Sequence, residues 1–194
     1  MVTIHLDLPL FIQNYHLKGN LDLPSKGVVL ITGENGVGKS TLCHYLFEEK
    51  NLPQKVVWTE SNQFRSIYPI TVHSILALYK ENGTDIDLER YQLLYSLFKM
   101  NVWSERIWSE LSSGQGQMLK LLMGLSLNAE TYLLDEPAHF LDQEKLRALS
   151  DVITSISKES LVIIIDHRID WFDGKMDKHY RLQAKDQTIM VEQI

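Results

Sequence analysis

The sequence predicts an α/β fold: a mainly parallel core sheet, an antiparallel β part at the N-terminus and a short helical subdomain. Three observations predict it. The apolar, β-branched run Val28, Val29, Leu30, Ile31 leads into a glycine-rich turn and then into a helical pattern carrying Leu42, Cys43, Tyr45, Leu46 and Phe47. Two further apolar runs, residues 131–136 and 161–166, are short, continuous and end in acid, which suits central parallel strands covered on both faces. At the N-terminus Val2, Ile4, Leu6 and Leu8 alternate with polar residues, the period of a half-buried antiparallel strand.

Taken in order, residues 21–24 are expected to pair with that first strand, and Lys26-Gly27 to turn into the strand at 28–32. The turn that follows reads Gly33-Glu34-Asn35-Gly36-Val37-Gly38-Lys39-Ser40-Thr41 and fits G-x-x-x-x-G-K-[ST], with a strand before it and a helix after it as the motif requires. The residue types explain the chemistry. Glycines let the backbone curl so that its N–H groups face phosphate oxygens. The helix N-terminus adds partial positive charge at the same place. Lys39 brings a full charge for the β- and γ-phosphates, and the Ser40 hydroxyl suits Mg²⁺.

Residues 55–60 form a strand candidate. From 69 to 100 the period becomes helical, with one apolar stripe on Val72, Ile75, Leu76 and Tyr79 and a second on Leu88, Tyr91, Leu94, Tyr95 and Phe98. Asn82-Gly83-Thr84-Asp85 separates them. Leu119, Leu122, Met123 and Leu125 mark a buried helix after Gly116, residues 143–157 another, and residues 180–191 a closing hairpin around Lys185-Asp186-Gln187.

Composition narrows the class. The chain has 194 residues, enough for one domain over 1–194, with the helical subdomain spanning roughly 66–128. A hydrophobic content of 44% supports a substantial core, and a net charge of −6 disfavours nonspecific binding to nucleic acid or anionic lipid. The single cysteine, Cys43, lies in an apolar helical pattern and reads as a core residue in a reducing compartment. No stretch approaches the roughly 18 apolar residues that span a bilayer, and the first strand lacks the basic flank of a signal peptide. The expectation is a soluble, cytoplasmic chain.

Other motifs extend the reading. Leu134-Asp135-Glu136-Pro137 closes a buried strand, where ligands of open α/β sheets bind. Asp135 there suits a Mg²⁺ shell and Glu136 the polarisation of an attacking water. Leu111-Ser112-Ser113-Gly114-Gln115 is a Ser/Gly run opening a helix, a second anion site in physical terms. This pentapeptide resembles the LSGGQ signature of ATP-binding cassette (ABC) ATPases, with Ser113 in place of the first glycine. In the same order, Gln63 resembles the Q-loop glutamine, residues 68–72 the segment after it, Phe140-Leu141-Asp142 the D-loop, and His167 the switch histidine. His5, His44 and His139 are left as surface or helix residues.

The resemblance covers most of the chain and implies a P-loop NTPase of the ABC type: an ATPase that binds ATP and Mg²⁺. It implies that Gly33, Glu34, Asn35, Gly36, Val37, Gly38, Lys39, Ser40 and Thr41 hold the phosphates. Ser40, Gln63 and Asp135 hold the metal, Gln63 and Asp135 also completing the shell of the attacking water, Glu136 is the general base and His167 contacts the γ-phosphate. Ser112, Gly114 and Gln115 close the site of a second subunit in trans, so a head-to-tail dimer with itself or a related chain is expected. An aromatic ring stacks on adenine, either Phe11 or Tyr15. Gly116 stands where the family commonly has a basic residue, and the stretch from Lys39 to Ser112 is short for the family. The function so implied is that of the nucleotide-binding subunit of an ABC transporter, peripheral on the cytoplasmic face of the inner or plasma membrane. Integral membrane permease subunits would dock a helix in a groove lined by Tyr68, Tyr79, Tyr91, Tyr95 and Phe98. The other reading is a soluble ABC ATPase acting on DNA, ribosomes or another assembly.

Overall fold

The computed structural model describes residues 2–10, 15–48, 52, 55–59, 69–83, 85–185 and 188–194. Its strands are β1 (Val2–Leu10), β2 (Tyr15–Leu23), β3 (Gly27–Gly33), β4 (Val56–Thr59), β5 (Thr131–Asp135), β6 (Leu161–Asp166), β7 (Lys178–Lys185) and β8 (Thr188–Gln193). Its α-helices are α1 (Lys39–Glu48), α2 (Val72–Asn82), α3 (Leu88–Leu97), α4 (Ser113–Leu125) and α5 (Gln143–Ile156).

All eight strands join one sheet in the order β1-β2-β8-β7-β3-β6-β5-β4. From β7 to β4 every neighbour is parallel. The antiparallel part is not a separate N-terminal layer. It continues the core sheet, and half of it comes from the C-terminus: β1 pairs β2 antiparallel, β2 pairs β8 parallel, and β8 returns antiparallel to β7. Pairing between the two chain ends is long-range, so no local pattern announces it.

β3, β5 and β6 are buried on both faces, as their unbroken apolar runs require. Alternate residues feed two cores. Val29, Ile31, Leu133, Ile163 and Ile165 pack with Leu42, Cys43 and Leu46 of α1. Val28, Leu30, Tyr132, Leu134, Val162 and Ile164 pack with α4 and with the stripe Leu146, Leu149, Val152, Ile153, Ile156 of α5. Cys43 is fully buried, as its pattern predicted.

The helices α2 and α3 are stopped and started by local chemistry. Thr71 caps α2 by accepting from Ser74 N, and Asp87 caps α3 by accepting from Arg90 N. Helix α4 begins at Ser113, earlier than its apolar stripe suggested, so the Ser/Gly run forms its first turn.

Parallel register fixes the site. Thr32 pairs with Asp166 and Asp135 with Ile165, so Gly33, Glu136 and His167 emerge at one edge of the sheet. The same edge runs on through Gly33↔Leu182, Lys185↔Thr188, His16↔Thr188 and Leu10↔Tyr15.

Candidate nucleotide site

The phosphate-loop sequence forms the turn between β3 and α1. Gly36 and Gly38 have φ of +80° and +99°, left-handed values that side chains resist. At Gly33 a Cβ would stand 2.8 Å from Val37 Cγ1 and 3.0 Å from the Leu182 carbonyl, so only glycine lets the loop lie against β7. Val37 tucks inward as the loop's apolar anchor, while Glu34, Asn35 and Gly36 are exposed. Lys39 is only 5% exposed; its Nζ donates to the carbonyls of Gly33 (2.9 Å) and Glu34 (3.0 Å). Ser40 is exposed at the start of α1 and Thr41 is half-buried. A buried cation, a helix N-terminus and left-handed glycines form a cradle that fits a polyphosphate.

Opposite lies the acidic pair. Asp135 ends β5 and is fully buried. Glu136 follows with φ of +48°, and its N–H donates to Ile165 O at 2.7 Å. That bond turns its carboxylate out of the strand toward three cation-capable groups. Oε1 lies 3.9 Å from Lys39 Nζ and 3.9 Å from His167 Nδ1. Oε2 lies 3.8 Å from His139 Nδ1. The structure thus brings together Lys39, Glu136 and His167, which the sequence placed far apart.

His139 is a surface residue, as expected, with its side chain 50% exposed, and it faces the Glu136 carboxylate. A tight turn puts it there: its N–H donates to Glu136 O at 3.1 Å, and its ring stacks on Phe140 with centroids 3.8 Å apart. Sequence reasoning also missed two buried polar residues. Gln117 of α4 donates its amide to Glu136 O at 3.4 Å. Asp166, 2% exposed, places Oδ1 3.2 Å from His167 Nδ1 and accepts from Arg168 N at 3.1 Å. Burial pushes the Asp166 carboxyl above the usual range, against the pull of the Arg168 N–H and His167. The polar residue amid apolar neighbours was the one signal available.

At the signature, Ser112 and Gln115 form a reciprocal capping box: Ser112 Oγ accepts from Gln115 N at 3.3 Å, and Ser112 N donates to Gln115 Oε1 at 3.0 Å. Gly114 packs against Phe140, where a Cβ would come within 3.2 Å of the Phe140 Cβ. At Gly116 a Cβ would meet open space, so no steric reason excludes a side chain there. Asp142 caps α5 by accepting from Lys145 N at 3.0 Å and pairs with the Lys145 ammonium, which holds its carboxyl below the usual range.

Beside the loop, a cleft of about 730 Å³ is lined by Gly33, Asn35, His167, His179, Arg181 and Gln183. His179 Nε2 lies 2.9 Å from Thr32 Oγ1, and burial, with Arg181 nearby, holds its imidazole below the usual value. Phe11, Gln63 and Tyr68 lie outside the described residues; Tyr15 opens β2.

A second cleft, about 360 Å³, lies on the helical segment and is lined by His73, Leu76, Lys80, Tyr91, Tyr95 and Ser104. Tyr91 and Tyr95 stack there at 5.9 Å, and burial pushes the Tyr91 hydroxyl up to about 12. Two aromatics expected in this groove do other work. Phe98, 1% exposed, is packed in the core beside Leu94 and Met100. Tyr79 spends its hydroxyl on Met123 O at 2.7 Å.

A family model described as ABC transporter matches residues 18–139. The galactose/methyl galactoside import ATP-binding protein MglA of Treponema pallidum (strain Nichols) is 28% identical over 188 residues, covering 82% of this chain and 38% of that protein. The glutamine transport ATP-binding protein GlnQ of Bacillus subtilis (strain 168) is 26% identical over 171 residues, covering 75% of this chain and 71% of that protein. The tungstate uptake system ATP-binding protein TupC of Campylobacter jejuni is 33% identical over 144 residues, or 64% of this chain and 43% of that protein. The chain spans about 38% of the length of the galactose-import relatives it matches. Among solved structures, RNase-L Inhibitor superposes with a TM-score of 0.77 at 23% identity, covering 98% of this chain and 39% of that one. A metal-chelate type ABC transporter in an inward-facing conformation gives 0.69 at 20% identity, covering 99% and 82%. At these identities the likeness shows the fold alone, that of an ABC-type P-loop NTPase. No helix among the described residues is long and apolar enough to cross a membrane.

Proposed function

Because the chain belongs to the ABC transporter family of ATPases, we propose that it binds and hydrolyses ATP as the nucleotide-binding subunit of a membrane transporter. The observation that carries this reading is the meeting of Lys39, Glu136 and His167, with Glu136 Oε1 3.9 Å from each partner. A base, a phosphate-binding cation and an imidazole on one carboxylate are the parts needed to hydrolyse a terminal phosphate.

In this reading the N–H groups of residues 33–38 and the start of α1 hold the phosphates, and Lys39 neutralises them. Ser40 and Thr41 add hydroxyl contacts. Ser40, Gln63 and Asp135 would hold Mg²⁺; few protein ligands plus phosphate oxygens suit that ion, which when bound neutralises charge on the phosphoryl group. Glu136 takes a proton from the attacking water, and His167 supports the γ-phosphate. Register favours an adenine contact at the β1–β2 end, at Phe11 or Tyr15, because Leu10↔Tyr15 lies on the same sheet edge as Gly33. Ser112, Gly114 and Gln115 serve the site of a second cassette, from another copy or a related chain, and ATP is shared across a head-to-tail dimer. The segment 66–128 forms a helical subdomain, and the cleft at His73, Leu76, Tyr91 and Tyr95 receives a helix from a permease subunit. That docking places the chain on the cytoplasmic face of the membrane.

Purification of the tagged chain from native membranes in mild detergent tests this reading. Recovery of an integral membrane protein is expected. Recovery only with ribosomes, DNA or another cytosolic assembly would contradict the transport role and leave the ATPase reading intact.

A further inference from the structure

We propose that Asp166 is a positioning residue for His167: its carboxylate engages Nδ1 of the imidazole and leaves Nε2 as the nitrogen that meets the ligand. The proposal rests on the roles of Glu136 and His167 given above.

Asp166 is the last residue of β6, paired across the sheet with Thr32, the residue before the phosphate loop. It is 2% exposed at the end of a strand of fully buried aliphatics. Its Oδ1 lies 3.2 Å from His167 Nδ1 and accepts from Arg168 N. Its Oδ2 has no hydrogen-bond partner among the described residues. Burial disfavours the carboxylate, and the Glu136 charge opposes it further. A buried acid with one oxygen unanswered is destabilising. Capping the turn at Arg168 does not require it, because an asparagine oxygen accepts the same N–H. What asparagine cannot supply is a negative charge beside Nδ1. A carboxylate there orients an imidazole and keeps the proton on the nitrogen it faces. His167 is a third exposed, and its other charged neighbour, Glu136 Oε1, stands farther from Nδ1, at 3.9 Å, so Asp166 is the closer of the two carboxylates that orient the ring.

Stability and activity should therefore move in opposite directions. In the full-length chain, Asp166→Asn is expected to raise or preserve Tm and ATP affinity while lowering kcat about ten-fold, the scale of one lost charge-assisted contact. In a His167→Ala background the same substitution should change kcat by less than about two-fold, because the effect runs through the imidazole. Unchanged kcat in Asp166→Asn would overturn the proposal. So would an equal loss in the His167→Ala background, or a kcat loss that tracks a fall in Tm. Failure of the broader reading looks different: there, Glu136→Gln would keep normal turnover whatever Asp166→Asn did.

Discussion

Lys39 and Glu136 lie on opposite sides of the candidate site, one opening α1 and one following β5, yet Nζ and Oε1 are 3.9 Å apart. Both belong to the group that would meet the triphosphate. Lys39→Ala removes a buried cation and its two bonds to loop carbonyls. ATP affinity should fall about 10- to 100-fold, the range for charged hydrogen bonds. Titration with a fluorescent ATP analogue measures this, and affinity within about two-fold of the parent would remove Lys39 from the site.

The loop glycines should separate into two classes. Gly33→Ala meets Val37 and the Leu182 backbone and has little room to relax. A destabilisation of about 1–3 kcal/mol with loss of ATP binding is expected. Gly36→Ala meets nothing within 4 Å and bears only the strain of φ +80°, about 1 kcal/mol. Urea unfolding of both variants checks the order; Gly36→Ala as the more damaging change would show that the loop is held differently.

Ser112 has two separable tasks. As the cap of α4 it is worth about 1 kcal/mol, which Ser112→Ala should lose. Ser112→Asp retains a capping oxygen but puts negative charge where a phosphate of the second subunit is expected. It should unfold like the parent and fail to dimerise with ATP. If light scattering shows Ser112→Asp dimerising normally, the signature does not contact phosphate.

Asp142 supplies a pH test. Its carboxyl is held below the ordinary value of 3.8 by the Lys145 side chain and N–H. A carboxyl depressed on folding stabilises the fold above its unfolded value, and that stability is lost as pH falls through the lower folded value. Thermal melts below pH about 4 should therefore show part of the acid loss vanish in Asp142→Asn, which keeps the cap and lacks the titration. An identical acid profile in the variant would mean the Lys145 pairing contributes nothing.

Much of this was legible locally. The glycine-rich loop, the acidic strand end and His167 each sit in a short motif whose strand or helix context is written beside it. Parallel register then brings them to one edge, with Thr32 opposite Asp166 and Asp135 opposite Ile165. What was not legible is tertiary. The parallel pairing of β2 with β8 joins residues from opposite chain ends. Phe98 carried the same helical period as Tyr91 and Tyr95, but it lies in the core with Leu94 and Met100 while those two line the cleft. His139 faces Glu136 because of a turn that no side-chain pattern encodes. Gln117 and Asp166, both buried themselves, reach the site through a few polar contacts, which hydrophobic periodicity does not register.

One variant examines the dimer that ATP would close together with the general base. Glu136→Gln in the full-length chain, mixed with ATP and Mg²⁺ and followed by size-exclusion chromatography with light scattering, should bind ATP, hydrolyse it at least about 100-fold more slowly than the parent and elute as a dimer that reverts to monomer when nucleotide is removed. A monomer at saturating ATP, or turnover at the parent rate, would contradict a shared site with Glu136 as its base.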